Sequence, residues 1–403
     1  MHHDVLIVGA GHAGAQAAIQ LRQLKFAGSI GLVTEEPDLP YERPPLSKEY
    51  LAGEKPFERL LFRPEAFWPE RQIALHRNCR IIAVDPVVRA VRAADGRSLR
   101  YGTLVWAAGG TPRPLACPGA ELPGVHVLRT RADADRLHAQ ISAARRAVII
   151  GGGYIGLEAA AVFTSRGMVV TVVEVQDRLL ARIAAPPPLS AFLQRAHEAH
   201  GVTFRLDAQV TGIEEVGRRA GAVHLHGGAR LPADLVLVGI GIVPSVAPLL
   251  AAGAHGGDGV AVDDGCRTSL PDVFAIGDCA LHANRFADGA AIRLESVQNA
   301  HDQAQTVARL LTGSPAHYDS IPWFWSHQYD LKLQTVGLVP GYDAFVLRGD
   351  PAGRAFSAVY GRKGLVCAVT SINVPRDFVQ GRALIGRPFD AGRIADTSTP
   401  LRV

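Results

Sequence analysis

The stretch GAGHAG at residues 9–14 follows the apolar run VLIV, and GGGYIG at residues 151–156 follows the apolar run AVII. Each stretch opens an Ala-rich segment with helical composition, and we call the two stretches the first and the second glycine loop. The pattern Gly-x-Gly-x-x-Gly between a strand and a helix is typical of dinucleotide binding. Its glycines permit a tight turn, a close approach of a pyrophosphate, and close helix–strand packing. Two glycine loops in one chain predict two dinucleotide sites.

An acidic residue follows the second strand after each glycine loop. Glu35 lies 26 residues after the first glycine of its loop, and Glu174 lies 23 residues after the first glycine of its own. In dinucleotide sites such a carboxylate accepts hydrogen bonds from ribose hydroxyls. Glu174 would repel a 2′-phosphate, which favours NADH over NADPH. Arg178 and Arg182 leave the strictness of this preference open.

Two dinucleotides on one chain favour one chemistry, hydride transfer from a nicotinamide to a flavin. The five cysteines are scattered, with no C-x-x-C or C-x-x-x-x-C pair, so neither a local redox disulfide nor a metal or iron–sulfur site is expected. The flavin is then the only redox centre, and electrons must leave to a separate partner. The flavin and the nicotinamide are expected to be FAD and NADH.

Composition narrows the class of protein further. The chain has 403 residues, 48% hydrophobic and 20% charged, which predicts two or three globular domains. No apolar run reaches the ~18 residues of a membrane span, and the strand at the N-terminus leaves no room for a signal peptide. The net charge of +4 comes without a basic block, so no nucleic-acid partner is predicted. We expect a cytoplasmic enzyme.

Strand and helix patterns alternate in two separate stretches, which predicts an α/β chain. Strands are expected at residues 29–34, 103–107, 169–173 and 235–238, and a buried strand with an acidic tip at residues 268–278. A helix is expected at about residues 296–311. From residue 322 onward, short aromatic-rich segments predict an antiparallel sheet.

Five motifs, one of which contains the second glycine loop, carry a resemblance to a known family. They are PYERPPLSK (40–48), VIIGGGYIGLE (148–158), AIGDC (275–279), RLESV (293–297) and PWFWS (322–326). With these motifs, nearly the whole chain resembles the FAD-dependent NADH:ferredoxin reductases, the family of putidaredoxin reductase and of the reductase components of biphenyl-type and dibenzofuran-type dioxygenases. The resemblance implies two Rossmann-like, glutathione-reductase-like domains plus a C-terminal α+β domain. The expected boundaries are 1–111 with 244–320 for the FAD domain, 112–243 for the NADH domain, and 321–403 for the C-terminal domain.

The resemblance also implies the residues of both sites. For FAD they are Gly9, Gly11, Ala13, Gly14, Glu35, Arg43, Lys48, Ile81, Ala108, Gly109, Arg129, Asp278, Val297 and Trp325. For NADH they are Gly151, Gly153, Tyr154, Ile155, Gly156, Glu158, Glu174 and Gly241. No metal ligands are implied.

Three of these residues are expected to be catalytic. By resemblance, Lys48 and Glu158 form an ion pair beside the flavin N5, and Trp325 lies next to the isoalloxazine ring. An ordinary surface charge or buried aromatic residue is the alternative for each taken alone.

Two more residues have a physical argument of their own. Asp278 lies at a strand tip, where its carboxylate can accept a hydrogen bond from a ribityl hydroxyl of a flavin. The alternative is that it only caps the turn. Val297 at a helix N-terminus favours the negative charge of a reduced flavin, although a plain core helix would have the same sequence.

The predicted function is an NADH-dependent ferredoxin reductase whose partner is an acidic [2Fe–2S] ferredoxin that feeds an aromatic-ring dioxygenase or a cytochrome P450. Arg63, Arg293 and Arg309 are candidate contacts for that partner. A rubredoxin reductase or an NADH oxidase of the same fold is the alternative enzyme, with Cys279 as the cysteine an oxidase would need. A non-catalytic redox-signalling flavoprotein resembling apoptosis-inducing factor is the alternative from another class.

Overall fold

A computed structural model describes residues 1–401, and the contacts of the chain divide it into two units. The first unit contains Met1–Arg43, Phe57–Thr111 and Val243–Phe324, and the second contains Pro44–Pro56, Pro112–Ile242 and the chain from Trp325 onward. The C-terminal sheet therefore groups with residues 112–242. The three-domain boundaries stay a prediction.

The strands are β1 His2–Val8, β2 Ile30–Val33, β3 Ile73–His76, β4 Ile81–Asp85, β5 Ala90–Ala93, β6 Ser98–Trp106, β7 Gly110–Pro112, β8 Val125–His126, β9 Arg146–Ile150, β10 Val169–Val173, β11 Val202–Arg205, β12 Val210–Val216, β13 Arg219–Leu225, β14 Arg230–Pro232, β15 Leu235–Val238, β16 Ile242–Pro244, β17 Gly256–Gly257, β18 Gly259–Val262, β19 Val273–Ala275, β20 Ala280–Ala283, β21 Ala291–Ile292, β22 Trp323–Gln328, β23 Leu331–Gly337, β24 Ala344–Asp350, β25 Ala355–Arg362 and β26 Leu365–Ile372. The α-helices are α1 His12–Gln23, α2 Phe67–Glu70, α3 Arg131–Ile141, α4 Tyr154–Ser165, α5 Pro187–Glu198, α6 Ala247–Ala251, α7 Val297–Leu311, α8 Pro375–Leu384 and α9 Ala391–Ala395.

The main sheet of the first unit has the order β3-β2-β1-β6-β5-β4, with β19 also paired to β6. Strands β1, β2, β3, β6 and β19 run parallel, and the hairpin strands β4 and β5 are antiparallel. Because both faces of the parallel part are covered, its strands read as continuous apolar runs such as VLIV. The first glycine loop follows β1, between β2 and β6, at the carboxyl edge where parallel sheets bind nucleotides.

The second unit repeats this arrangement with an all-parallel sheet of order β11-β10-β9-β15-β8. The second glycine loop follows β9, which lies between β10 and β15. A further sheet of order β22-β23-β26-β25-β24 belongs to the same unit, and its pairings β23–β26, β26–β25 and β25–β24 are antiparallel. Two Rossmann-like sheets and a C-terminal α+β region are thus present, as the sequence predicted.

Most predicted elements are confirmed, and one is wrong in part. Strands β10 and β15 and helix α7 lie where the sequence patterns placed them. The predicted strand at 268–278 is reduced to β19, because Pro271 and Asp272 form a turn before it. Asp272 has φ = +58°, and the Thr268 N–H bonds back across this turn to the Val273 carbonyl at 2.9 Å. The acidic residue predicted at the strand tip, Asp278, lies in a short 3₁₀ turn, Gly277–Cys279.

Candidate dinucleotide-binding sites

The first glycine loop is shaped by its own backbone. Gly9 has φ = +106°, and a Cβ atom there would lie 2.2 Å from the Ala107 carbonyl oxygen. A Cβ atom on Gly14 would lie 1.8 Å from the Gly9 carbonyl oxygen. At Gly11 the nearest atom to a Cβ is Arg43 Nε, 3.7 Å away. The first and third glycines are therefore required by the fold, whereas the second leaves an open surface for a ligand.

The second glycine loop has the same geometry. Gly151 has φ = +113°, and its Cβ atom would lie 2.4 Å from the Gly239 carbonyl oxygen. A Cβ atom on Gly156 would lie 2.1 Å from the Gly151 carbonyl oxygen, but one on Gly153 would have no neighbour within 4 Å. Each loop thus combines tight helix–strand packing with an open helix N-terminus, the combination that accommodates a pyrophosphate.

The acidic residues of the two loops differ in position. In each unit the N–H of the first glycine donates to the last residue of the second strand at 2.8 Å, so Thr34 and Glu174 are equivalent and Glu35 lies one residue further. Glu174 Oε2 accepts the Gly152 N–H at 2.6 Å, which holds the carboxylate against the second glycine loop. The Glu35 side chain is 58% exposed and lies 3.7 Å from Arg80. Ribose binding by Glu35 and Glu174 stays a prediction.

Sequence reasoning missed an acidic residue beside the first glycine loop. Glu36 accepts hydrogen bonds from Arg43 Nη2 at 2.6 Å and from the Tyr41 hydroxyl at 2.5 Å. Burial by itself would lower the pKa of Arg43, but Tyr41 and Glu36 outweigh it and raise that pKa. Arg43 is therefore a fixed cation next to the open side of Gly11, which suits a pyrophosphate.

Helix α7 and the Gly277–Cys279 turn meet helix α1 inside the first unit. A Cβ atom on Gly277 would lie 3.1 Å from the Ala13 Cβ and 3.9 Å from the Ala300 Cβ. Val297 is the first residue of α7, as predicted, and the Ser296 hydroxyl caps the helix by accepting the Asn299 N–H at 3.1 Å. Asp278 thus lies in a turn held between the N-terminal regions of two helices, a position suited to a polar ligand that carries negative charge.

Two buried polar atoms near this turn lack a partner among residues 1–401. Gln303 Oε1 accepts the Gly277 N–H at 2.7 Å, but Gln303 Nε2 has no hydrogen bond, and neither has Asn299 Oδ1. Both residues are fully buried. Buried polar atoms are nearly always satisfied, so these two, with the open glycine loop and Arg43, indicate that the first unit fits FAD.

The remaining predicted FAD residues divide between the units. Ile81 opens β4, and Ala108 and Gly109 follow β6, all in the first unit. Lys48, Arg129 and Trp325 belong to the second unit. Their contacts to FAD stay predictions.

The predicted NADH residues surround the start of α4. Tyr154 is its first residue, and burial raises the pKa of the Tyr154 hydroxyl. Ile155 is 42% exposed, so its apolar side chain is available to pack against a ligand. Gly241 has φ = +97° and lies close to Arg182, whose Nη1 would be 3.1 Å from a Cβ there. The second unit therefore offers an apolar contact next to an open pyrophosphate site and fits a nicotinamide dinucleotide.

One of the two arginines that left NADPH open, Arg178, already has hydrogen-bond partners. Arg178 Nη1 bonds to Asp177 Oδ1 at 2.7 Å, and Arg178 Nε donates to the Ala185 carbonyl at 3.3 Å. A 2′-phosphate would have to compete with these partners and with the Glu174 carboxylate. The preference for NADH over NADPH stays a prediction.

Lys48 and Glu158 form an ion pair inside the second unit, as the resemblance implied. Lys48 Nζ lies 2.6 Å from Glu158 Oε2, with side chains 13% and 2% exposed. The Ser47 hydroxyl donates to the same oxygen at 2.5 Å, and the Ser326 hydroxyl donates to Glu158 Oε1 at 2.6 Å. Since both carboxylate oxygens are engaged, the ion pair has one defined orientation. Its position relative to a flavin stays a prediction.

Ser47 and Ser326 are further residues that sequence reasoning missed. Ser326 and Gln328 occupy alternate positions of β22 and so face the same side, and both are buried. Polar residues at alternate positions of a predicted strand are the signal that could have found Ser326. Ser47 lies next to Lys48 in the chain, but no spacing pattern identifies it.

Cys279 is an inert residue of the first unit. It is fully buried, and its Sγ donates to the Ile276 carbonyl at 3.3 Å. Burial raises the pKa of the thiol to about 12, so no thiolate is available at neutral pH. The part of the chain that the structure describes holds no group of three or more His, Cys, Asp or Glu residues that could bind a metal ion.

In residues 1–401, none of the helices combines the length and the apolar character needed to cross a membrane.

Comparisons with known proteins agree with this geometry. Residues 3–304 match the family model of pyridine nucleotide-disulphide oxidoreductases, and residues 323–403 match the reductase C-terminal model. The chain is 55% identical to the 5,5'-dehydrodivanillate O-demethylase ferredoxin reductase subunit of Sphingobium sp., over 100% of this chain and 98% of that relative.

Two solved structures are similar along almost the whole chain. The ferredoxin reductase of the CYP199A2 system from Rhodopseudomonas palustris has a TM-score of 0.95 at 41% identity and covers 99% of this chain and 98% of its own. The covalent putidaredoxin reductase–putidaredoxin complex has a TM-score of 0.95 at 38% identity, with coverage of 99% and 97%. These matches agree with the two glycine loops, the two Rossmann-like sheets and the C-terminal sheet. The chain belongs to the pyridine nucleotide-disulphide oxidoreductase family.

Proposed function

We propose that this protein is an NADH-dependent, FAD-containing reductase that passes electrons one at a time to a [2Fe–2S] ferredoxin. The observation that carries the proposal is two dinucleotide loops in a chain whose described cysteines are all unpaired. Without a redox disulfide, electrons have to leave to another protein. Two of the similar proteins are ferredoxin reductases, one of an O-demethylase and one of the CYP199A2 system. They support electron transfer to a ferredoxin. The protein is then a cytoplasmic component of a chain that ends in an oxygenase.

Bound FAD would supply the chemistry, because it accepts a hydride and can release single electrons. The residues of the chain bind and orient the two dinucleotides. Arg43 and the N-terminus of α1 neutralise the charge of the FAD pyrophosphate. Glu174, at the second glycine loop, accepts hydrogen bonds from ribose hydroxyls. The N-terminus of α7, at Val297, favours negative charge beside it. Lys48 is a cation held in place by Glu158.

The rival functions make different predictions. An NADH oxidase normally needs a reactive cysteine near the flavin, and Cys279, the candidate for that role, is buried and protonated at neutral pH. A rubredoxin reductase would transfer electrons faster to rubredoxin than to any [2Fe–2S] ferredoxin. A redox-signalling flavoprotein would form a long-lived complex with NAD and turn over poorly with every acceptor.

The decisive experiment is cytochrome c reduction with NADH, run alone and with a panel of [2Fe–2S] ferredoxins and a rubredoxin. We expect turnover that depends on a ferredoxin and is much slower with NADPH. Turnover that is independent of any ferredoxin would contradict the proposal.

Arg309 is the best placed of the three arginines predicted to contact the ferredoxin. Arg293 is excluded as a free contact, because its side chain is 9% exposed and bonds to Asp258 and Glu295. Arg63 is exposed, but its guanidinium lies over the Phe67 ring at 5.5 Å. Arg309 is exposed in the last turn of α7 and has no ion pair within residues 1–401. It is therefore available to an acidic partner.

Reversal of this charge is expected to weaken ferredoxin binding. In Arg309→Glu, the KM for an acidic ferredoxin should rise about 5-fold at low ionic strength, and the effect should shrink as salt screens it. Steady-state kinetics at two salt concentrations measures this. Arg100→Glu is the matched control, since Arg100 is exposed at the amino end of β6, opposite the glycine-loop edge. Equal KM values for the two variants would argue against an α7 docking surface.

Glu174 is expected to set the choice between NADH and NADPH. In Glu174→Gln the repulsion of a 2′-phosphate is removed, while an amide oxygen can still accept the Gly152 N–H. The ratio of kcat/KM for NADH to that for NADPH should fall about 10-fold, equivalent to about 1.4 kcal/mol. Steady-state kinetics with both nucleotides measures the ratio, and Glu198→Gln on the exposed side of α5 is the control. An unchanged ratio would show that another group discriminates.

A further inference from the structure

A hydrogen-bond chain leads from the Lys48–Glu158 pair to helix α5. Gln328 Nε2 lies 3.1 Å from Ser326 Oγ, and Gln328 Oε1 lies 2.9 Å from His197 Nε2. The Ser326 hydroxyl in turn contacts Glu158. Exposure is 0% for Ser326 and His197 and 2% for Gln328 and Glu158. All four residues belong to the second unit. Because all four are buried, water cannot easily replace any link.

The direction of every hydrogen bond in this chain follows from the carboxylate at its end. An ionised Glu158 only accepts, so the Ser326 hydroxyl must donate to it and must accept from the Gln328 amide nitrogen. The Gln328 oxygen then faces His197, and the His197 imidazole must carry its proton on Nε2. The links are therefore not interchangeable: a residue that cannot donate at position 197 or 328 breaks the order.

His197 is suited to the far end of this chain. Its Nδ1 has no hydrogen-bond partner in the described part of the chain, so a second proton there would be buried without compensation. Burial accordingly lowers the pKa of His197 to about 4, which keeps the imidazole neutral. A neutral donor adds no charge near Glu158 and acts on it only through orientation.

We propose that His197 and Gln328 are positioning residues, which orient the Glu158 carboxylate through Ser326 so that its other oxygen holds Lys48. Within residues 1–401, neither residue has a hydrogen bond to Lys48, whose partners are Pro44, Ser47 and Glu158. The inference concerns the same reaction as the proposed function and rests on it only for its kinetic consequence. The orientation of the ion pair can be tested without any electron acceptor.

The test uses the FAD-loaded protein labelled with ¹⁵N-lysine. The chain has only five lysines, so the buried Lys48 Nζ signal can be assigned with Lys48→Arg. In His197→Leu and in Gln328→Met the Lys48 Nζ signal should shift, whereas the signals of Lys25, Lys55 and Lys363 should stay in place. His197→Gln retains an N–H donor and should restore the wild-type signal.

A kinetic measurement complements the spectrum. Stopped-flow reduction of the flavin by NADH should slow about 10-fold in His197→Leu and Gln328→Met, because small misplacements of reacting groups have large effects on rate. FAD content and thermal midpoint should match those of Ser190→Ala. Ser190 is the matched control, since it lies buried on the same helix but bonds to the Leu179 carbonyl at 2.7 Å.

Each outcome decides a separate question. If the Lys48 signal and the reduction rate are unchanged in both variants, the positioning role is wrong. If His197→Leu does not fold, Gln328→Met decides alone, since it replaces an amide of similar length on a strand. If NADH fails to reduce the wild-type flavin, the proposed function falls, and the Lys48 signal still decides the inference.

Discussion

In Lys48→Ala, we expect the rate of flavin reduction by NADH to fall about 100-fold while FAD is retained. A fixed, desolvated cation stabilises the negative charge that develops on a hydride acceptor, and removal of one such group typically costs a factor of 10² to 10³. Lys48 is held by Glu158 at 2.6 Å and by the Pro44 carbonyl at 3.1 Å. Stopped-flow absorbance measures the rate, and the flavin spectrum measures FAD content.

Two variants separate this effect from general damage. Lys55→Ala is the matched control, because Lys55 belongs to the same segment, Pro44–Pro56, and has no ion pair in the described residues. Lys48→Ala combined with Glu158→Gln removes the unpaired buried carboxylate, so it should regain stability without regaining rate. An unchanged rate in Lys48→Ala, or a loss of rate fully explained by lost FAD, would contradict the role.

In Arg348→Met, we expect the free energy of unfolding of the second unit to fall by about 3–5 kcal/mol, the usual loss when one partner of a buried ion pair is removed. Arg348 Nε lies 3.2 Å from Asp377 Oδ2, and the side chains are 7% and 8% exposed. Its Nη1 and Nη2 also donate to the carbonyls of Ile394, Asp396 and Thr399 at 3.0, 2.5 and 2.6 Å. One guanidinium therefore links β24 to α8, to α9 and to the chain beyond α9.

Urea unfolding followed by circular dichroism measures this loss, and limited proteolysis of the C-terminal segment locates it. Arg354→Met, at the residue just before β25, is the control, because its ion pair with Asp330 has side chains 37% and 65% exposed. An exposed pair of this kind contributes about 1 kcal/mol or less. If the two variants are equally stable, Arg348 does not anchor the C-terminal segment.

The glycine loops could be predicted from the sequence because three glycines at fixed spacing after an apolar run form a short, recognisable motif. The constraint on Gly14 is also local, since its neighbour is Gly9, whereas the constraint on Gly9 comes from Ala107, which follows a strand distant in sequence. Helix α7 could be predicted in the same way, since apolar residues on one face of a helix recur every three to four positions. Residues 268–272 were predicted wrongly because the prediction extended the strand through Pro271 and Asp272, two residue types that favour a turn.

The candidate site was predictable only in part. Glu174 follows its strand directly, so its position was visible in the sequence. The equivalence of Thr34, rather than Glu35, with Glu174 appears only from the backbone hydrogen bonds of the two sheets. Glu36 was also missed. Its partners Arg43 and Tyr41 lie in a loop, and no local sequence pattern predicts the path of that loop.

Local patterns in the chain thus predict the two strand–glycine loop–helix segments and the extent of α7, because each pattern involves residues close together in sequence. The pairing of strands into two sheets joins residues distant in sequence, such as those of β1 and β6. The partners of Glu158 depend on folding. Lys48 lies 110 residues before it and Ser326 lies 168 residues after it, and His197 reaches it only through two further side chains. Burial is what gives these contacts their direction and energy, and burial is a property of the packed unit rather than of any one segment.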